Sequence, residues 1–182
     1  SEAPLYPALK LKEDLANDYC EGASDRIRAC YERWDTNENS LPFSQHGNPE
    51  SYISRAFAKA KAEGKILMVE FGANWCPDCL VLHNKLTKPP ASTYLSQNFV
   101  RVTVDVGNFD RNLVLANKLG VQLSKGIPVA AFFEPDGTLI GTTNAGQLEP
   151  ARKYSSTQIL AFLEKIANER KIVSPGSFLP IN

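Results

Sequence analysis

Two cysteines stand three residues apart in Trp75-Cys76-Pro77-Asp78-Cys79. A helix opening at Cys76 would present unpaired backbone N–H groups and partial positive charge to that side chain, which favours a thiolate. Pro77 suits the first helical position, where its missing N–H costs nothing. Cys79 returns to the same helix face, within bonding reach of Cys76 but further into the protein. The arrangement predicts Cys76 as attacking nucleophile and Cys79 as resolving thiol in dithiol–disulfide exchange. Half of a zinc site is the competing use of such a pair. It would need two further Cys or His ligands, and His83, one turn on, and the isolated His46 are poor candidates, so no metal is expected.

Two acidic residues bear on that chemistry. Glu70 falls among Met68, Val69 and Phe71 in the strand before the motif, where burial would raise its pKa and suit it to take the Cys79 proton. Strand alternation alone also permits it to point into water. Asp78, between the cysteines, disfavours the Cys76 thiolate and so argues for a reductant over a strong oxidant.

The elements that must position these residues alternate. The pattern predicts a helix over 52–63, a turn at Gly64-Lys65, a buried strand over 66–72, the motif helix, a strand over 99–106 and a helix over 111–119. Strands over 129–133 and 138–142 follow, joined by the hairpin signal Glu134-Pro135-Asp136-Gly137, and Ser155-Ser156 caps a helix to about residue 168. The order βαβ, hairpin, helix predicts an α/β mixed sheet with helices on both faces. Upstream, residues 9–34 read as two short helices separated by Gly22, and 35–50 as a connecting loop rich in Asn, Pro and Gly. The expected organisation is a helical extension with its loop over 1–50, a compact domain over 51–170 and a tail over 171–182.

The bulk composition is that of an ordinary folded domain. The 182 residues are 43% hydrophobic and 22% charged, and no apolar run, that at 66–69 included, is long enough for a membrane span. Twenty basic residues balance twenty acidic ones, with no cationic stripe for nucleic acid. Ser1 is not followed by a signal-like apolar segment, so a targeting peptide is expected to have been removed or never present.

Residues 69–79, Val-Glu-Phe-Gly-Ala-Asn-Trp-Cys-Pro-Asp-Cys, resemble the thioredoxin superfamily, and Gly126-Ile127-Pro128 before the strand at 129–133 is a second, separate match. The resemblance covers about 51–168 and implies a thioredoxin fold. It implies a cis Pro128 facing the dithiol, Ile127 offering backbone hydrogen bonds to a substrate chain, Trp75 beside that chain and Gly146 as a groove glycine. Glu70 stands where thioredoxins proper carry a buried aspartate. Ile127 looks like the reducing members, and the whole looks most like bacterial thioredoxin-like proteins acting outside the cytoplasm, in the periplasm or an equivalent compartment. Protein or peptide disulfides as substrates, an upstream electron-donor thiol protein and no cofactor are implied. Cys-Pro-Asp-Cys in place of Cys-Gly-Pro-Cys, the lengthened approach Leu123-Ser124-Lys125 and an added loop at 149–154 depart from the pattern. A peptide-binding chaperone or a metal-carrier module on the same fold is the alternative reading.

Cys20 and Cys30 form a second pair. Ten residues of continuous helix would separate them by about 15 Å, beyond the roughly 7 Å limit for a disulfide, so a bond requires a turn at Gly22. A structural disulfide there would contribute about 2–3 kcal/mol and suit an oxidising compartment. A second redox pair and free, packed thiols are the other readings.

Overall fold

The computed structural model describes residues 41–45 and 47–169. The chain divides into two compact units, Ser1–Gly47 and Asn48–Asn182, and the fold below is that of the second. The two helices expected upstream, the Cys20/Cys30 pair, His46 and residues 170–182 lie outside the described residues.

The order is α1 (Pro49–Glu63), β1 (Ile66–Gly72), α2 (Pro77–Leu86), α3 (Ala91–Asn98), β2 (Phe99–Asp105), α4 (Leu113–Lys118), β3 (Val129–Phe133), β4 (Leu139–Thr142), a 3-10 turn (Ala151–Lys153) and α5 (Ser156–Glu169). The sheet order is β2-β1-β3-β4. β1 runs parallel to β2 and antiparallel to β3, and β3 pairs antiparallel with β4. This is a thioredoxin fold: a mixed sheet whose central strand β1 ends at the motif.

β1 is buried along its whole length, as a strand covered on both faces must be. Ile66 and Met68 point to one face, where they meet Leu82 and Leu86 of α2, Leu95 of α3 and Ile159, Phe162 and Leu163 of α5. The Phe99, Phe132 and Phe162 rings meet edge to face in that layer. The opposite face is covered by α1, whose Phe57 ring packs 5.2 Å from that of Phe133. Alternation along β1 therefore puts Glu70 on the α2 side with Met68. In register with those residues, Arg101 pairs with Met68 and Thr103 with Glu70.

Several element boundaries differ from the sequence expectation. α1 starts at Pro49, inside the stretch read as loop, because the Asn48 side chain accepts from the Glu50 N–H and Pro49 occupies the first helical position. α3 was not anticipated: its sequence is polar except for Ala91, Tyr94 and Leu95, and only Ala91 and Leu95 are buried, too narrow a stripe to read as a period. The added loop at 149–154 contains a 3-10 turn instead of irregular chain.

Candidate active site

The motif helix begins as its sequence requires. Cys76 is the N-cap of α2 with extended backbone, Pro77 follows at the first helical position, and the Cys79 N–H donates to Cys76 Sγ at 3.3 Å. A thiol at this place takes one of the N–H groups that a helix start leaves unpaired. Both cysteines are free thiols, Cys79 wholly buried and Cys76 nearly so.

Their electrostatics diverge. The side-chain hydrogen bond with Cys79 holds the Cys76 thiol below its ordinary range, with help from the Cys79 N–H, while burial and the Asp78 charge oppose it. The same hydrogen bond, then burial and the charges of Cys76 and Glu70, push Cys79 far up. One sulfur is disposed to be thiolate and the other to keep its proton. Asp78 does act against the Cys76 thiolate, as the sequence suggested, but it does not win. Its Oδ1 also accepts from the Arg152 backbone N–H at 2.8 Å and from Arg152 Nε at 3.1 Å, a partner supplied by the 3-10 turn.

The second family match lies against the first. The Ile127–Pro128 peptide is cis, and the Ile127 carbonyl oxygen is 3.7 Å from Cys76 Sγ, so the segment before β3 borders Cys76. Gly146 lies in the turn after β4 with φ +85, and a Cβ there would approach Lys125, not Cys76. Positive φ is one reason for its identity. Trp75 is 54% exposed beside the thiols. Its Nε1 donates to the Gly107 carbonyl at 2.8 Å, and its ring meets Phe109 edge to face. Phe109 is also largely exposed and has φ +62, an outlying conformation for an aromatic residue.

Glu70 is fully buried, which removes the water-facing alternative, and it has a partner that the sequence reading did not supply. Arg101 Nε donates to Glu70 Oε1 at 2.9 Å, and Arg101 Nη2 is 2.8 Å from the same oxygen without hydrogen-bond geometry. Oε2 is buried with no partner among the described residues. Arg101 Nη1 in turn is 3.1 Å from His83 Nδ1. Arg101 carried a signal in the sequence, since a lone cation at the inward parity of β2 calls for a buried anion nearby. Arg152 carried none, being 74 residues from Asp78.

Among the described residues no group of three or more His, Cys, Asp and Glu could hold a metal ion, and no helix is long and apolar enough to cross a membrane. A mixed sheet with a dithiol at the helix that follows its central strand, opposite a cis proline, defines a thioredoxin-like protein. A family model described as Thioredoxin-like matches residues 48–135. A solved disulphide isomerase from Xylella fastidiosa Temecula1 is 37% identical, with a TM-score of 0.68, over 70% of this chain and 97% of that one. A thioredoxin from Thermus thermophilus is 28% identical over 55% of this chain and 81% of its own, with a TM-score of 0.40. No curated protein gives a significant match. The chain belongs to the thioredoxin superfamily, and its class is that of the thiol–disulfide oxidoreductases.

Proposed function

We propose that this protein reduces disulfides in protein or peptide substrates through Cys76 and Cys79. The Cys76 thiolate attacks one sulfur of the substrate disulfide, breaking the S–S bond and releasing the other sulfur as thiolate. Cys79 then gives its proton to Glu70 Oε2 and attacks Cys76 Sγ. That step forms the Cys76–Cys79 disulfide and releases the second substrate thiolate. Two electrons pass from the dithiol to the substrate, and an upstream thiol protein restores the dithiol. The observation that carries this reading is the opposed pair of thiols, Cys76 lowered at a helix N-cap and Cys79 raised behind it.

In this reading Trp75, Ile127, Pro128 and Gly146 border the substrate chain, with the Ile127 carbonyl beside the mixed disulfide. The reducing direction is supported by the Asp78 charge, which raises Cys76 and so makes the reduced form less comfortable. Residues 1–47 are proposed as an appended extension ahead of the catalytic domain, which takes in the Asn48 cap and Pro49 of α1, and Cys20–Cys30 as a structural disulfide in an extracytoplasmic protein. The reading also extends to this chain the disulfide chemistry in the name of the Xylella relative. Insulin reduction tests it: the wild-type chain turns over, Cys76→Ser does not, and undiminished activity in that variant ends the proposal. The reduction potential tests direction, with a value near about −270 mV expected and one near about −120 mV reversing it.

A further inference from the structure

The proton acceptor of the resolving step stands at one end of a three-residue chain, Glu70 on β1, Arg101 on β2 and His83 on α2 one turn beyond Cys79. The guanidinium meets Glu70 at one end, with Nε donating to Oε1 and Nη2 2.8 Å from that same oxygen without hydrogen-bond geometry, and meets His83 Nδ1 through Nη1 at the other. Guanidinium only donates, so in this contact His83 Nδ1 must accept, with its proton on Nε2. Burial first and the Arg101 charge second push the His83 pKa down to about 4, so the ring is neutral where thiol exchange runs. Of the other titratable groups on α2, Asp78 is committed to Arg152, and Lys85 donates to the Ala151 and Tyr154 carbonyls. α3 brings only Tyr94, raised chiefly by burial.

The grip on a single oxygen matters. Arg and carboxylate ordinarily pair fork to fork, one N–H to each oxygen, and such a pair would occupy both oxygens of Glu70. Here Oε2 has no partner among the described residues. We propose that His83 is a positioning residue for the resolving step: by accepting from Arg101 Nη1 it holds the guanidinium on Oε1 of Glu70 and leaves Oε2 open to the Cys79 proton. The proposal rests on the reading of Glu70 as that proton's acceptor. Without His83 the guanidinium is free to turn onto both oxygens. Cys79 would then have to lose its proton to hydroxide.

The full chain, reduced and mixed with 5,5′-dithiobis(2-nitrobenzoic acid), separates the two steps. Attack by Cys76 releases one thionitrobenzoate, and attack by Cys79 on the mixed disulfide releases the second. His83→Leu, which keeps bulk but cannot accept, is expected to slow the second release about tenfold or more near pH 7. That compares with the hundredfold or so that loss of a general base costs. The first release should stay within about twofold, and the pH profile of the second should move upward. His83→Gln, whose side-chain carbonyl can accept, should restore most of the second rate. His83→Ala gives the same deletion in a smaller side chain should leucine disturb α2. An unchanged second release, an equal slowing of both, or no rescue by glutamine overturns the role of His83. Glu70→Gln separates this from the underlying reading: if it leaves the second release unchanged, Glu70 is not the acceptor. If it slows that release while His83→Leu does not, only the His83 proposal fails.

Discussion

Replacing Arg101 by methionine tests whether the Glu70 carboxylate is held inside the protein by an ion pair. Glu70 is fully buried, and the Arg101 side chain is 11% exposed. At 2.8 Å the attraction is about 6 kcal/mol for an effective dielectric of about 20, and it is set against the cost of withdrawing both charges from water. Two distinct losses follow. Arg101→Met leaves an uncompensated buried carboxylate, which costs about 3–5 kcal/mol. Glu70→Met with Arg101→Met removes both charges and their desolvation together, so the paired variant should lie near the wild type or above it by up to about 4 kcal/mol. Urea unfolding followed by far-ultraviolet circular dichroism reads both. With a slope of about 2 kcal/mol per molar, the single variant should lose about 2 M from its midpoint and the paired variant recover it. A single variant within about 0.5 M of wild type would mean that Glu70 reaches water or another partner. A paired variant no better than the single one would mean that packing, not charge, is lost.

Three further outcomes follow from the site. Cys79→Ala removes the largest cause of the lowered Cys76 thiol, so the pH midpoint of Cys76 alkylation by iodoacetamide should rise toward that of an ordinary thiol; an unmoved midpoint would place the cause elsewhere. Arg152→Ala strips Asp78 of its cationic partner while leaving the backbone donor, and because Arg152 is mostly exposed, Cys76 alkylation at pH 7 should slow by only about two- to threefold. Asp105 at the end of β2 is buried, and burial raises its pKa against the Gly107 N–H and Arg111. A carboxyl raised on folding contributes stability below its unfolded pKa, near 4, that is lost as pH rises through the folded value. Asp105→Asn should therefore gain on the wild type in unfolding midpoint as pH climbs through that window and hold the gain at neutrality, and a constant difference across pH would refute the assignment.

Local information set most of what was legible in the sequence. The bounds of β1 and β3 match the expectation, because a short run that is apolar, but for Glu70 in β1, between turn residues leaves a strand few other choices. The start of α2 was equally plain, since Pro77 can occupy a first helical position but not a helix interior. Where a helix depended on one cap, as at Asn48, or on two buried residues, as in α3, the pattern was too thin. At the site the same distinction holds. Cys76, Cys79 and Glu70 lie within ten residues, and one strand and one turn bring them together.

The groups that decide how those residues behave come from other elements. Arg101 reaches Glu70 across 31 residues through the parallel register of β1 and β2, and Arg152 reaches Asp78 across 74 through the packing of the 3-10 turn on α2. Spacing along the chain carries no trace of a register formed by tertiary structure. Asp78 illustrates the consequence: its sign was readable from the motif, but its weight was not. Its charge competes with a hydrogen bond from Cys79 and is itself shared with an arginine from the inserted loop. The departure from the family pattern at 149–154 is thus also the segment that, through Arg152, bears on the charge beside Cys76.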